Sequence, residues 1–350
     1  MTQRVNATLT AVVLLFLLFV AAAFLPLPYV TYSPGPTVDV LGKNDGREVI
    51  QVSGHQTYRD DGELRMVTVY VTPAGGKVTL VDAMEAWFSP EQAIYPYATQ
   101  YPDGQTAEES DVESAMEMVS SQDSAIAAAL RALDFQVRPV IEVLGVDDGL
   151  PAKGKLEVRD ILVKIGDTTI RSPQDVVDAI TGAEADEPLT FVVKRDGEQV
   201  SVDVTPTVVD GSLRVGIRPG MGFDFPFRVH VDINQNIGGP SAGLMFSLGI
   251  YDTLTPGSLT DGATVAGTGT ITAKGKVGPI GGIQQKIVAA RDAGAGLFLV
   301  PAANCKEALG APNGDMRLAK VTAMSDALSS VEAWSSDHTA TLPVCTKGDS

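Results

Sequence analysis

The hydrophobic pattern changes character several times along the chain. Residues 11–27 are apolar apart from Pro26, and no charge occurs between Arg4 and Asp39. Residues 8–27 supply the ~20 residues a helix needs to cross a bilayer, with Arg4 and the amino terminus on the cytoplasmic side. A secretory signal cleaved at Ala21-Ala22-Ala23 is the competing reading, although the apolar core exceeds a usual signal's; both readings carry the rest of the chain out of the cytoplasm. Residues 49–52 and 65–71 have the β-branched, partly alternating look of strands around a polar 58–62 segment, which predicts a hairpin. Residues 77–87 read as a strand passing into a helix, and 95–110 show no period. Residues 111–133 are helical in composition, with Ser120-Ser121-Gln122-Asp123 as a break or cap.

From residue 136 to 208 the pattern shifts to short strands and one helix. Strands are expected at 139–146 and 160–167, with a short helical entry at 149–152. Ser172-Pro173-Gln174-Asp175 caps a helix through 180, and 189–195 pairs with 200–204 across Asp196-Gly197. Beyond lie a strand at 227–232, an apolar helix at 244–251, a hairpin leading into a helix over 267–290, and a strand at 297–300 with Asn304 as the following helix cap. On the helix after the hairpin, Ile283, Lys286, Ile287, Ala290 and Ala293 share one side, while Gln284, Gln285, Arg291 and Asp292 take the other.

Composition narrows the function classes. The chain has 350 residues, room for two domains, and 44% hydrophobic residues suit folded chain. A net charge of −17 without a basic cluster argues against a nucleic-acid partner. The histidines, His55, His230 and His338, and the two cysteines have no metal-ligand spacing, so no metal or cofactor is expected. Outside the cytoplasm, an even cysteine count predicts a Cys305–Cys345 disulfide. Gly149 to Lys155 has the spacing of a phosphate-binding loop, but Leu156 stands where a Ser or Thr is needed, so no ATP site is read there.

The chemistry concentrates in Asn236-Ile237-Gly238-Gly239-Pro240-Ser241-Ala242-Gly243, a polar, glycine-rich turn running into the apolar helix. Ser241 reads as a nucleophile at a helix N-terminus, where free N–H groups and the helix dipole can hold an oxyanion. The bland alternative is a helix cap on a tight turn. Lys286, on an apolar helix face, is either a snorkelling stem or an amine held in a dry site. A His230–Asp232 arrangement offers another base, but residues two apart on a strand point side by side.

Together, the serine turn and the segment Gly267-Thr268-Gly269-Thr270 through Pro279-Ile280-Gly281-Gly282 to Lys286 resemble the proteolytic domain of Lon-type serine proteases over residues 225–305. The resemblance implies Ser241 as nucleophile, Lys286 as general base and Thr268 as the hydroxyl bonded to the lysine. Gly239, Pro240 and Ala242 would support the turn and the oxyanion. One departure is Gly238, where many Lon enzymes carry an acidic residue. Residues 136–208 are similar to a bacterial PDZ domain, on Gly149-Leu150-Pro151-Ala152, the Gly154-Lys155-Leu156 to Asp160-Ile161-Leu162 segment and Ile165-Gly166-Asp167. Residues 132–135 are a candidate carboxylate-binding loop, or simply a helix end.

The expected fold is α/β (α+β): a Lon-type proteolytic domain, an inserted PDZ-like β-rich domain and one N-terminal transmembrane helix. The divisions are 1–30 for the cytoplasmic tip and membrane helix, 31–135 for the first part of the protease region, 136–208 for the PDZ-like domain and 209–350 for the Lon-like proteolytic domain. The resemblance to membrane-anchored, PDZ-containing Lon-like proteases implies an ATP-independent serine endopeptidase acting on extended or unfolded polypeptides, with the PDZ-like domain aiding substrate binding. It further implies a single-pass anchor in the cell membrane, an extracytoplasmic catalytic domain and possible homo-oligomeric rings. A non-catalytic PDZ scaffold on a degenerate protease fold is the alternative, and a phosphate cradle at the glycine turn a third reading.

Overall fold

The computed structural model describes residues 3–44, 46–102, 104–234 and 237–349, apart from the side chains of Arg4 and Ala21. The helices are α1 (Gln3–Ala23), α2 (Leu80–Phe88), α3 (Ala107–Ala132), α4 (Pro173–Thr181), α5 (Gly243–Leu254), α6 (Ile283–Asp292), α7 (Cys305–Ala308) and α8 (Met324–Ser336). The principal strands are β1 (Tyr29–Asp39), β2 (Ile50–Ser53), β3 (Glu63–Val71), β4 (Ala93–Pro96), β5 (Arg138–Val146), β6 (Ile161–Ile165), β7 (Leu189–Arg195), β8 (Glu198–Val204), β9 (Ile217–Asp224), β10 (Arg228–Val231), β11 (Thr264–Gly267), β12 (Leu297–Pro301) and β13 (Arg317–Val321).

One sheet has the order β13-β12-β11-β3-β1-β4. Its first four strands run parallel, while β1 is antiparallel to both β3 and β4. A parallel sheet needs cover on both faces, and β12 shows how the sequence meets that need, because all five of its residues are buried. Leu297 and Leu299 pack with α5 and α8, whereas Phe298 and Val300 join Ile283, Ile287 and Ala290 of α6 on the opposite face. The second sheet, β8-β7-β6-β5-β9, is antiparallel and has its own core, including Val143, Leu162, Val176 and Phe191. Its helix α4 begins with the capping box of Ser172 and Asp175. The first sheet takes strands from both sides of residues 138–224, so the second sheet lies within an insertion.

Several expectations are corrected. The 49–52 and 65–71 strands exist, but they form no hairpin with each other: β2 pairs with β10, and β3 lies between β1 and β11. The break expected at residues 120–123 is absent, and α3 is continuous over 26 residues from a Thr106–Glu109 capping box. Residues 149–152 form turns rather than a helical entry, and Leu156, from the phosphate-loop look-alike, is buried in the second core. Residues 132–135 are the end of α3, closed by Asp134 at positive φ. Asn304 precedes α7 but makes no side-chain cap; its amide instead clasps Ile280, donating to the carbonyl and accepting from the N–H. The Cys305–Cys345 disulfide is formed and closes a separation of 40 residues.

Among the described residues, no helix is long and apolar enough to cross a membrane, so the expected transmembrane helix is not established. Arg4, expected to mark the inner side, and Ala21 of the alternative cleavage site have side chains outside the described residues.

Candidate active site

The serine turn is held between α3, α5 and the strand–hairpin segment 264–278. Asn236, the first residue of the motif, lies outside the described residues. Gly238 and Gly243 allow α3 to approach closely, since a Cβ on Gly238 would sit 2.8 Å from Ser114 Cβ and one on Gly243 would sit 2.9 Å from Ser121 Oγ. Gly239 adopts φ 84°, a conformation that favours glycine. Two polar contacts from α3 complete the hold: the Ser114 carbonyl accepts from Gly239 N–H at 3.0 Å, and Ser121 Oγ donates to the Pro240 carbonyl at 2.9 Å.

Ser241 is half-buried and lies just before α5, which begins at Gly243 with Ala242 as its cap. This places the serine two residues outside the helix rather than within its first turn. The Ser241 carbonyl accepts from Gly269 N–H at 2.8 Å and from Thr268 Oγ1 at 3.0 Å, so the segment following β11 straps the turn in place.

Lys286 resolves the choice between snorkelling and burial. Its side chain is only 3% exposed, and Nζ donates to Thr268 Oγ1 at 3.3 Å. Burial alone pushes the amine down to about 7, because a charged ammonium loses its hydration there. Thr268 has committed its own proton to the Ser241 carbonyl and can only accept from the lysine. A neutral Lys286 amine, donating one N–H to Thr268, therefore keeps its lone pair free. Ser241 and Lys286 both line one cleft of about 930 Å³, with residues 66–71 of β3 and Glu117 and Met118 of α3 along its walls.

Other expected roles change. Gly239 N–H is bonded to Ser114 and Pro240 has no N–H, so neither offers an oxyanion donor in this structure; their contribution is the shape of the turn. His230 lies on β10 beside Arg159, Asp232 pairs with Arg47 at 3.0 Å, and neither lines the cleft. Gln285, expected on the polar side of α6, is buried at 1% exposure because the helix is covered on more than one side. The contributions of Ser114 and Ser121 were missed; the cue was a run of polar residues at helical spacing on an otherwise alanine-rich helix.

A buried amine and a serine-bearing turn thus open on one cleft. Residues 221–331 match the family model of the Lon protease (S16) C-terminal proteolytic domain, and residues 115–205 match the PDZ domain model. The chain thus combines a Lon-type proteolytic domain with a PDZ domain. Lon protease 1 of Herpetosiphon aurantiacus is 40% identical over 90 residues, covering 25% of this chain and 11% of that protein. Lon protease 1 of Syntrophobacter fumaroxidans is 29% identical over 170 residues, covering 47% of this chain and 17% of that protein. The matched segments therefore span only a small part of these relatives. The PDZ domain of an SdrC-like protein from Listeria innocua is 23% identical, covering 23% of this chain and 92% of that one, with a TM-score of 0.22. A score that low carries no argument about the fold.

Proposed function

We propose that the chain is an ATP-independent serine endopeptidase in which Ser241 attacks the scissile carbonyl and Lys286 takes its proton. The observation that carries this reading is the buried Lys286 amine, pushed down to about 7 and tied through Thr268 to the turn that bears the serine. An amine with a pKa near the working pH is the form of lysine able to act as a general base. In this reading the backbone N–H groups of Ser241 and Ala242, just before α5, hold the developing oxyanion. A scaffold without activity needs no buried lysine, and keeping one there costs stability, which weighs against the non-catalytic alternative. A serine-directed fluorophosphonate probe tests the reading: it should label Ser241, and labelling should vanish in Ser241→Ala and Lys286→Met. An unlabelled folded wild-type protein would sink it.

The substrate in this reading is an extended or unfolded polypeptide, with the PDZ domain adding a substrate strand to a sheet edge. ATP independence belongs to the same proposal, supported by the phosphate-loop look-alike, which forms turns and buries Leu156 in a hydrophobic core. Anchorage in a membrane with the catalytic domain outside belongs to the same proposal. It is supported by the outward-facing apolar side chains of α1, where Leu9, Val12, Leu15, Phe16 and Phe19 are all exposed. Next to it, α2 turns Val81, Met84 and Phe88 outward and keeps Ala83 and Ala86 inward, which suits a lipid interface better than water. Assembly into homo-oligomers, also part of the reading, is read out by sedimentation of the detergent-solubilised protein.

A further inference from the structure

Helix α3 touches the serine turn on one side and the PDZ sheet on the other. Toward the turn it offers the Ser114 carbonyl and the Ser121 hydroxyl. The next two residues, Gln122 and Asp123, are also buried and face the PDZ sheet. There Arg159, in the loop between β5 and β6, donates through Nη2 to Gln122 Oε1 at 2.8 Å and places Nε 3.1 Å from Asp123 Oδ1.

Both ends of this joint are stiff. Arg159 N–H bonds to the Val143 carbonyl at 2.8 Å, and the adjacent Asp160, buried, receives two hydrogen bonds from Arg195 at 2.7 and 2.6 Å. The loop therefore moves with the PDZ sheet. On the other side, Ser121 to Asp123 lie within the continuous α3, where adjacent residues cannot shift independently. Glu142 of β5, 3% exposed, abuts Asp123, and burial followed by that neighbour raises it to about 9.

We infer that α3 transmits the seating of the PDZ sheet to the serine turn, so that Arg159 and Ser121 are positioning residues for the chemistry at Ser241. This regulation rests on the serine-peptidase reading. A PDZ domain that merely tethers substrate would leave cleavage of a short peptide untouched when the joint is cut; a transmitting joint would not.

The test is steady-state cleavage of a fluorogenic peptide too short to reach the PDZ sheet, with the rate of fluorophosphonate labelling as a second readout, at a temperature where every variant is folded. The Arg159→Met/Asp123→Asn variant removes both charges of the joint together. It should lower kcat and the labelling rate by about tenfold with KM within about twofold, and Ser121→Ala should do the same. Combined, the two should remain near tenfold rather than reach about a hundredfold, because they interrupt one line of contact. If the joint variant fails to fold, Gln122→Ala, which strands no charge, should show a loss of about threefold in the same two readouts. An active wild type whose folded joint variants retain full kcat, or whose Ser121 and joint losses multiply, overturns the inference while sparing the peptidase reading. A wild type that neither cleaves nor takes the probe overturns both.

Discussion

Replacing Lys286 by Met separates the chemistry of the amine from its thermodynamic burden. Met is unbranched and of similar length, and it fills the buried site without a charge. An unfolded lysine titrates near ~10.4, whereas Lys286 is pushed down to about 7 in the fold. The folded value is the lower one, so the residue opposes folding in full below about 7, progressively less from 7 to about 10.4, and not at all above. At pH 8 the burden is about 3 kcal/mol, from ~2.4 pH units at ~1.36 kcal/mol each. Losing the 3.3 Å bond to Thr268 returns about 1 kcal/mol. Lys286→Met should therefore be inactive and about 2 kcal/mol more stable than wild type at pH 8, with the advantage gone by pH 10. Urea unfolding followed by tryptophan fluorescence at pH 6, 8 and 10 measures the stabilities, and a fluorogenic peptide measures turnover. Ser241→Ala should be equally inactive but keep the wild-type dependence of stability on pH. Lys286→Met cleaving measurably faster than Ser241→Ala, or showing no gain at pH 8, would refute the reasoning.

Wild-type kcat should rise with pH through a limb near 7 as the amine loses its proton; a flat profile from pH 6 to 9 counts against Lys286 as the base. Thr268→Val removes both the donor to the Ser241 carbonyl and the acceptor for Lys286, and should cost about tenfold or more in kcat with KM little changed; a pure KM effect would place Thr268 in binding instead. The Cys305→Ser/Cys345→Ser variant should lose roughly 4 kcal/mol on the chain-entropy account of a closed loop this size, and reduced wild-type protein should match it in denaturant titrations. A protease site inserted after residue 40 should be cut from outside intact cells, and protection until the membrane is broken would reverse the proposed topology.

What was legible in the sequence was mostly local. The serine turn could be read because glycine and proline constrain the backbone within a few residues, and Lys286 because its phase on α6 falls with Ile283 and Ile287. Gln285 was misjudged, since a single-face argument fails for a helix covered from several sides. Alternation identified β2 as a strand but says nothing about its partner β10, far along the chain. Strand β9 went unseen because Pro219, Gly220 and Gly222 break the alternation that marks a strand; at the sheet edge, paired only with β5, the missing proline N–H is tolerated. On α3, Ser121, Gln122 and Asp123 looked like a break because their partners come from remote segments.

Strand β3 finds its parallel neighbour β11 only across a long stretch of chain: Thr264 bonds to Glu63 at a separation of 201 residues. During synthesis, at about 5–20 residues per second, that interval lasts roughly 10–40 s. Throughout it, Leu64 and Met66, fully buried in the finished protein, sit on an unpaired strand edge of the kind that recruits other chains. The second sheet, drawn from residues 138–224, is complete before β11 is made. A newly made chain thus carries a closed second sheet and an open first sheet, and it gains its cleft only after α6 has emerged. On the proposed reading, turnover must wait until residues 283–292 have been made, and the waiting edge of β3 is where a holding chaperone has most to protect.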